Sequence, residues 1–213
     1  PVAAIHGAAE TLLLGALADP QAARGFVEMI ARQADRLARL TRDLLDLSRI
    51  QAGRIELNVR PVDARWLLAQ AAAGSEASAR DAGVALSVEA PEDELPLVAD
   101  PERVDVALTN LLGNAVRHTP SGGRIAARVR REGRSVRFEV QDTGEGIPAQ
   151  YRERIFERFF QVPGTKRGGV GLGLYISREI VRAHGGEMGL ESEEGKGSTF
   201  WFTLPAVPEP ATS

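Results

Sequence analysis

The sequence predicts two domains in tandem: a helical hairpin over residues 1–53 and an α/β sandwich over 54–213. Three observations predict this. Apolar residues recur at spacings of four and three through residues 26–47, the signature of a helical seam. Beyond about Arg54 the seam stops, and helical stretches mix with short alternating ones. The alternating stretches fall mostly late in the chain, without the regular strand–helix alternation of a doubly wound sheet.

The hairpin comes first. Phe26, Ile30, Gln33, Leu37, Leu40, Leu44 and Leu47 form a heptad seam with one polar intruder, Gln33. Val2, Ile5, Ala9, Leu12 and Ala16 make a shorter, weaker stripe in a first helix. Ala18-Asp19-Pro20 separates the two, with Asp19 as N-cap and Pro20 at the first helical position, and Gly53 ends the second helix. Two helices with one narrow seam each cannot enclose a core, so a homodimer forming a four-helix bundle is expected.

In the second domain VDARWLLAQAAAGSEASARDAG reads as a helix ending at Gly83, and VALSVEA as a strand with Val84, Leu86 and Val88 on one face. DPERVDVALTNLLGNAVRHTP reads as a helix capped by Asp100 and closed by Pro120. RIAARVRR, SVRFEVQD, EMGLESEE and STFWFTLP read as strands, and GLYISREIVRAHGG as a helix. His184 then falls at a helix C-terminus ahead of a glycine cap, and the tail PAVPEPATS is polar and Pro-rich. Trp66 and Trp201 are read as core or interface aromatics.

Composition excludes several chemistries. With no cysteine there is no disulfide, thiol nucleophile or thiolate metal site, and three histidines leave little for zinc. A net charge of −3 gives no reason to expect nucleic acid or an anionic membrane as partner. No apolar run approaches the roughly 18 residues of a membrane span. The chain opens on Pro1 without an initiator methionine, so further segments are expected upstream. Any inner-membrane anchor is expected there, and the residues at hand are expected to be cytoplasmic.

Four stretches carry candidate chemistry. In TNLLGNAVRHTP, Asn110 and Asn114 stack on one helical face, with Arg117 and His118 a turn further. Two amide oxygens there suit a hard cation such as Mg²⁺, or equally make a solvated polar face. VQDTGEGIP ends a strand on Asp142 and follows it with Gly144 and Gly146, which is a close backbone approach to a ligand or simply an Asp-Gly turn. GGVGLGLYISREIV leads Gly169, Gly171 and Gly173 into a helix, the makings of a phosphate cradle, although neither a Walker A loop nor a dinucleotide fingerprint. RIFERFFQVPGTKR carries Phe156, Phe159 and Phe160, then Lys166 and Arg167, and reads as a loop closing over a nucleotide or as a solvated basic loop.

The order and spacing of these stretches is the informative feature. NLLGNAVRHTP, DTGEGIP, FERFF and GVGLGL resemble the N, G1, F and G2 boxes of the bacterial sensor histidine kinases, members of the GHKL ATPase superfamily. GSTF at Gly197–Phe200 resembles their closing strand motif, DLLDLSRIQAG the end of their dimerisation hairpin, and PVAAI the end of their H box. Other ATPases of that superfamily, such as topoisomerases and mismatch-repair proteins, lack the hairpin. A non-catalytic ATP-binding scaffold is the remaining alternative, and the intact boxes speak against it.

The resemblance implies ATP and Mg²⁺ as ligands. The residues implied at the nucleotide site are Asn110, Asn114, Arg117, His118, Asp142, Gly144, Gly146, Ile147, Phe159, Lys166, Arg167, Gly169, Val170, Gly171, Leu172, Gly173 and Thr199. Asp142 would accept from the adenine amino group, Gly144 and Gly146 would let the base in, and Asn114 would hold Mg²⁺. Asn110 and Arg117 would act at the γ-phosphate; Arg117 stands where the family usually has lysine, a planar fork in place of a point charge. The implied reaction is transfer of the γ-phosphoryl to a hairpin histidine and then to an aspartate on a response-regulator partner. In the family's H box the acceptor lies five residues before the proline matched by Pro1, so the phosphoacceptor and the phosphatase residues are expected upstream of this chain, and His6 is not the acceptor.

Overall fold

The structure, a computed structural model, describes residues 1–53, 55–164 and 170–207. The chain divides into two compact units, Pro1–Ala52 and Gly53–Ser213.

In the first unit, α1 (Val2–Leu13) and α2 (Pro20–Gln51) form the hairpin. The turn between them uses Gly15 at φ +129° and a single 3-10 turn over Ala16–Ala18, so Ala16 leaves the predicted stripe. Asp19 caps α2 as the sequence predicts, accepting from the Gln21 and Ala22 N–H groups at 2.9 and 3.2 Å. Ala8 and Leu12 are buried, Ile5 and Ala9 half-buried, and Val2 is exposed. At 1.5 Å per residue, 12 residues of α1 run about 18 Å against about 48 Å for the 32 of α2. Much of the α2 seam therefore has no partner in α1. Leu37 and Leu44 remain 38% and 55% exposed, while Phe26, Ile30, Gln33 and Leu40 are half-buried and Leu47 buried.

The second unit is a five-stranded mixed sheet with helices on one face. The strands are β2 (Ala85–Glu89), β4 (Arg124–Glu132), β5 (Ser135–Asp142), β6 (Met188–Glu193) and β7 (Gly197–Pro205), in the order β2-β4-β5-β7-β6. β2 and β4 are parallel and the other pairs antiparallel. The helices are α3 (Ala64–Asp81), α4 (Pro101–His118) and α5 (Gly173–Ala183). Alternation explains the layering: Ile125, Ala127 and Val129 on β4, Val136, Phe138 and Val140 on β5, and Phe200, Phe202 and Leu204 on β7 are all buried with the apolar faces of the helices. Phe138 and Phe202 are register partners and stack with centroids 4.8 Å apart.

Two strands have no counterpart in the sequence reading: β1 (Arg60–Asp63) and β3 (Pro96–Ala99) form a separate antiparallel pair. Each is four residues long and contains a proline, which argues against a strand assignment everywhere except at an edge. The Val84, Leu86, Val88 face also fades along β2: Val84 is buried, Leu86 half-buried and Val88 exposed, as befits an edge strand.

The outer face of the sheet is polar but ordered. Glu139 pairs with Arg137 at 2.6 Å and Arg130 at 2.8 Å. The Arg137 guanidinium lies 4.2 Å from the centre of the Trp201 ring, and the same indole covers Gly189, where a Cβ would collide with it. Trp201 is thus an outer-face residue rather than a core one.

His184 does more than end α5. The Asp100 N–H donates to its Nε2 at 3.0 Å, so Nδ1 carries the hydrogen and donates to the Ile180 carbonyl at 2.8 Å. Asp100 in turn caps α4 through Oδ1, which takes the Glu102 and Arg103 N–H groups, and accepts the Asn58 N–H on Oδ2.

Candidate nucleotide-binding site

α4 brings the candidate groups together. Its N-cap and Pro101 fix where the helix begins, and the buried stripe Val104, Ala107, Leu108, Leu111, Leu112 and Ala115 fixes its rotation. Asn110, Asn114 and His118 then follow at intervals of one turn on a half-buried face.

At the far end of α4 lies the turn after β5. Asp142 is 5% exposed; its Oδ1 accepts the Gly144 N–H at 2.8 Å and the Ser198 N–H at 3.3 Å. No described group bonds its Oδ2. Burial pushes the Asp142 carboxyl above the usual aspartate range, with the two N–H donors and the nearby His118 acting in the opposite direction. His118 Nδ1 lies 2.8 Å from Glu145 Oε1, and the Ile147 N–H donates to Ser192 Oγ at 2.8 Å.

The two glycines of this turn serve the protein's own packing. A Cβ on Gly144 would strike the His118 carbonyl, and one on Gly146, at φ +67°, would strike the Glu193 carbonyl. Both glycines thus let neighbouring backbone approach, and the turn lies tight against the ends of α4 and β6.

At the other end, Asn110 Nδ2 donates to the Gly173 carbonyl at 3.2 Å and to Ser177 Oγ at 3.1 Å, holding α4 to the first turn of α5. Aspartates cap α2, α3 and α4, whereas among the described residues no side chain caps α5 or α1. The first N–H groups of a helix are open to an anionic acceptor where no side chain takes them. Gly171, at φ +75°, precedes them, and a Cβ there would press on the Phe159 and Phe160 backbone. Val170 is half-buried beside it, and Leu172 is a core side chain that can offer only backbone. Lys166, Arg167 and Gly169 lie outside the described residues.

Asn114 Oδ1 accepts from Arg117 Nη1 at 3.0 Å. The amide oxygen assigned to a cation thus already faces positive charge, and its donor chemistry fits Mg²⁺. Among the described residues no cluster of three His, Cys, Asp or Glu side chains could cage a metal ion, so a metal here would need further ligands from the phosphates.

Phe159 is exposed and takes φ +63°, the one described non-glycine residue with a positive φ. Phe156 is core, and Phe160 is half-buried against Tyr151 and Arg154.

Strand parity separates Thr199 from Ser198. β7 turns Ser198, Phe200 and Phe202 inward, so Thr199 faces the outer side between Gln141 and Glu191, and Ser198 is the register partner of Asp142. The inward alternation of Phe200, Phe202 and Leu204 is the signal that points to Ser198. Glu145 and Ser192 carry no such signal.

The chain thus places, in sequence, a helical hairpin before a mixed sheet on which α4 and two glycine turns converge. Comparison with known proteins gives the family. Residues 99–208 match the family of histidine kinase-, DNA gyrase B- and HSP90-like ATPases, and residues 1–53 match the His Kinase A (phospho-acceptor) domain. The chain belongs to the sensor histidine kinases. It is 40% identical over 187 residues to the sensor protein DivL of Caulobacter vibrioides, covering 88% of this chain and 24% of DivL. It resembles full-length ShkA, solved in complex with AMPPNP, at 34% identity and a TM-score of 0.77, over 88% of this chain and 40% of ShkA. It also resembles ThkA in the complex of ThkA with the response regulator protein TrrA, at 26% identity and a TM-score of 0.69, over 89% of this chain and 53% of that one. The chain spans 24–55% of the length of its first curated relatives. No helix among the described residues is long and apolar enough to cross a membrane.

Proposed function

We propose that this chain binds ATP with Mg²⁺ and serves as the phosphoryl-donating core of a sensor kinase, passing the γ-phosphoryl to a hairpin histidine and onward to a response-regulator aspartate. One observation carries the reading. α4 joins a buried carboxylate, whose second oxygen no described group bonds, at one end, to the N-terminus of α5, which no described side chain caps, at the other. Between Asn110 and His118 the helix advances eight residues, about 12 Å.

Asp142 Oδ2 would accept from the adenine amino group. Guanine would set its carbonyl against that oxygen and leave a buried acceptor unpaired, at a cost of about 1–3 kcal/mol. The α5 N–H groups and the turn at Gly171 would take phosphate oxygens, and Asn114 Oδ1 would hold Mg²⁺ once released by Arg117. When bound, Mg²⁺ neutralises charge on the transferring phosphoryl. Asn110 orients the α4–α5 junction and is left with its own oxygen for the phosphate side. The likeness to ThkA, whose complex contains a response regulator, supports an analogous partner here. The exposed Leu37 and Leu44 support a homodimer through the hairpin.

Calorimetric titration with ATP and GTP, each with and without Mg²⁺, tests the reading. Preference for ATP and a Mg²⁺ dependence lost in Asn114→Ala are expected. Equal affinity for the two nucleotides would remove Asp142 from base recognition, and unchanged Mg²⁺ dependence would remove Asn114 from the metal.

A further inference from the structure

Where the turn after β5 meets the β6–β7 hairpin, one hydroxyl has three neighbours. Ser192 Oγ accepts the Ile147 N–H at 2.8 Å, lies 3.0 Å from the Gly197 carbonyl oxygen and 2.9 Å from Ser198 Oγ. A serine hydroxyl offers one hydrogen and two lone pairs. The Gly197 carbonyl can only accept, so the Ser192 hydrogen goes there. The Ile147 N–H takes one lone pair, and the Ser198 hydrogen takes the other.

The reverse arrangement, with Ser192 donating to Ser198, fails on satisfaction. It would take the Ser192 hydrogen away from the Gly197 carbonyl, and among the described residues Ser198 Oγ has no second partner for its own. With its hydrogen committed to Ser192, Ser198 keeps only lone pairs. It stands beside Asp142 as register partner, its own N–H bonded to Asp142 Oδ1.

We propose that Ser192 is a specificity-determining positioning residue: by drawing the Ser198 hydrogen to itself, it makes the pocket edge formed by Ser198 Oγ and Asp142 Oδ2 accept hydrogen bonds only. Facing position 6 of the base, such an edge favours a purine with an amino group there over one with a carbonyl there. The inference rests on the adenine reading of Asp142. It adds that discrimination depends on a residue that does not touch the base. Ser192 also ties the Ile147 N–H to β6, so a purely architectural role is the alternative to separate.

The ratio of ATP to GTP affinity separates them, because a loosened pocket weakens both nucleotides alike. Ser192→Ala frees the Ser198 hydrogen to rotate and donate to the guanine carbonyl, so the ATP:GTP ratio should fall about fivefold or more. Ser192→Thr keeps the hydroxyl and should keep the wild-type ratio. If thermal melting shows that Ser192→Ala does not fold, Ser198→Ala removes one acceptor while leaving Ser192 on Ile147 and Gly197, and it too should lower the ratio. Equal weakening of both nucleotides, or an unchanged ratio, in whichever of these alanine variants folds would overturn the role of Ser192. Equal ATP and GTP affinity in the unmodified chain would instead overturn the adenine reading itself.

Discussion

The Phe159 N–H donates to the Gly171 carbonyl at 2.8 Å, tying the Phe-bearing segment to the turn that opens α5. Both residues hold positive φ, +63° and +75°, and only one of them is a glycine.

This asymmetry sets opposite outcomes for two substitutions. Phe159 pays about 1–2 kcal/mol for its left-handed backbone, and its side chain, 56% exposed, recovers little of that by packing. Phe159→Gly should leave thermal stability unchanged or raise it by up to about 1 kcal/mol, the larger unfolded-state entropy of glycine offsetting part of the relief. Gly171→Ala adds strain and a backbone collision, and should lower the melting temperature and weaken nucleotide binding together. A Phe159→Gly variant that melts well below the parent would show that the phenyl ring packs in a way its exposure hides.

Asp142 sets binding against stability. Its folded carboxyl is pushed above the ordinary aspartate value by burial. Such a group favours folding fully below the unfolded value, and that contribution is lost as pH rises through the raised folded value. At neutral pH the ionised carboxylate therefore costs stability. Asp142→Asn should melt higher than the parent at neutral pH, with the gap closing on acidification towards the ordinary aspartate range. The same variant should bind ATP about tenfold more weakly or worse, since a charged acceptor is replaced by a neutral amide. Melting curves with an unchanged gap from neutral to acid pH would contradict the burial argument.

The hairpin should dimerise through the seam that α1 leaves uncovered. Leu44→Glu, or Leu37→Glu, places a charge in that interface and should yield monomers by light scattering, with nucleotide affinity unaffected. An unmodified chain that stays monomeric at high concentration would contradict the bundle.

His6 should prove dispensable for phosphorylation. Its ring is exposed, 3.4 Å from Glu10 one turn on, and it follows Pro1, whereas the resemblance of PVAAI to the end of the family's H box implies an acceptor that precedes the matching proline. The two positions are ten residues apart, about 15 Å along a helix and roughly 280° around it. In-line transfer needs reacting atoms within about 3–3.5 Å, so one site cannot serve both. Incubation with radiolabelled ATP should give His6→Gln the same labelling as the unmodified chain. Label on the present chain that His6→Gln abolishes would make His6 the acceptor.

Elements with strong local chemistry were legible in the sequence. Asp19-Pro20 and Asp100-Pro101 mark helix starts within a residue, and the alternation in SVRFEVQD and STFWFTLP assigns β5 and β7. What escaped depends on partners distant in the chain. Nothing local to RPVD or PLVA reveals that they pair with each other. Ser192 acquires meaning only because β6 brings it to Ile147, 45 residues earlier. A motif match marks the neighbourhood of Ser198 and Thr199, whereas strand parity decides that Ser198 turns inward.

The glycine under Trp201 has a consequence for how the sheet assembles. β6 is one of the sheet's two outermost strands, and outermost strands are the ones free to pair one residue out of step. At Gly189 the indole occupies the space a side chain would need. A shift by one in either direction presents Met188 or Leu190 to that ring, and both collide. The indole therefore acts as a key that only the native alignment turns. The same alignment carries Ser192 to the Ile147 N–H, so a chain that paired β6 out of step would lose that bond along with its sheet edge.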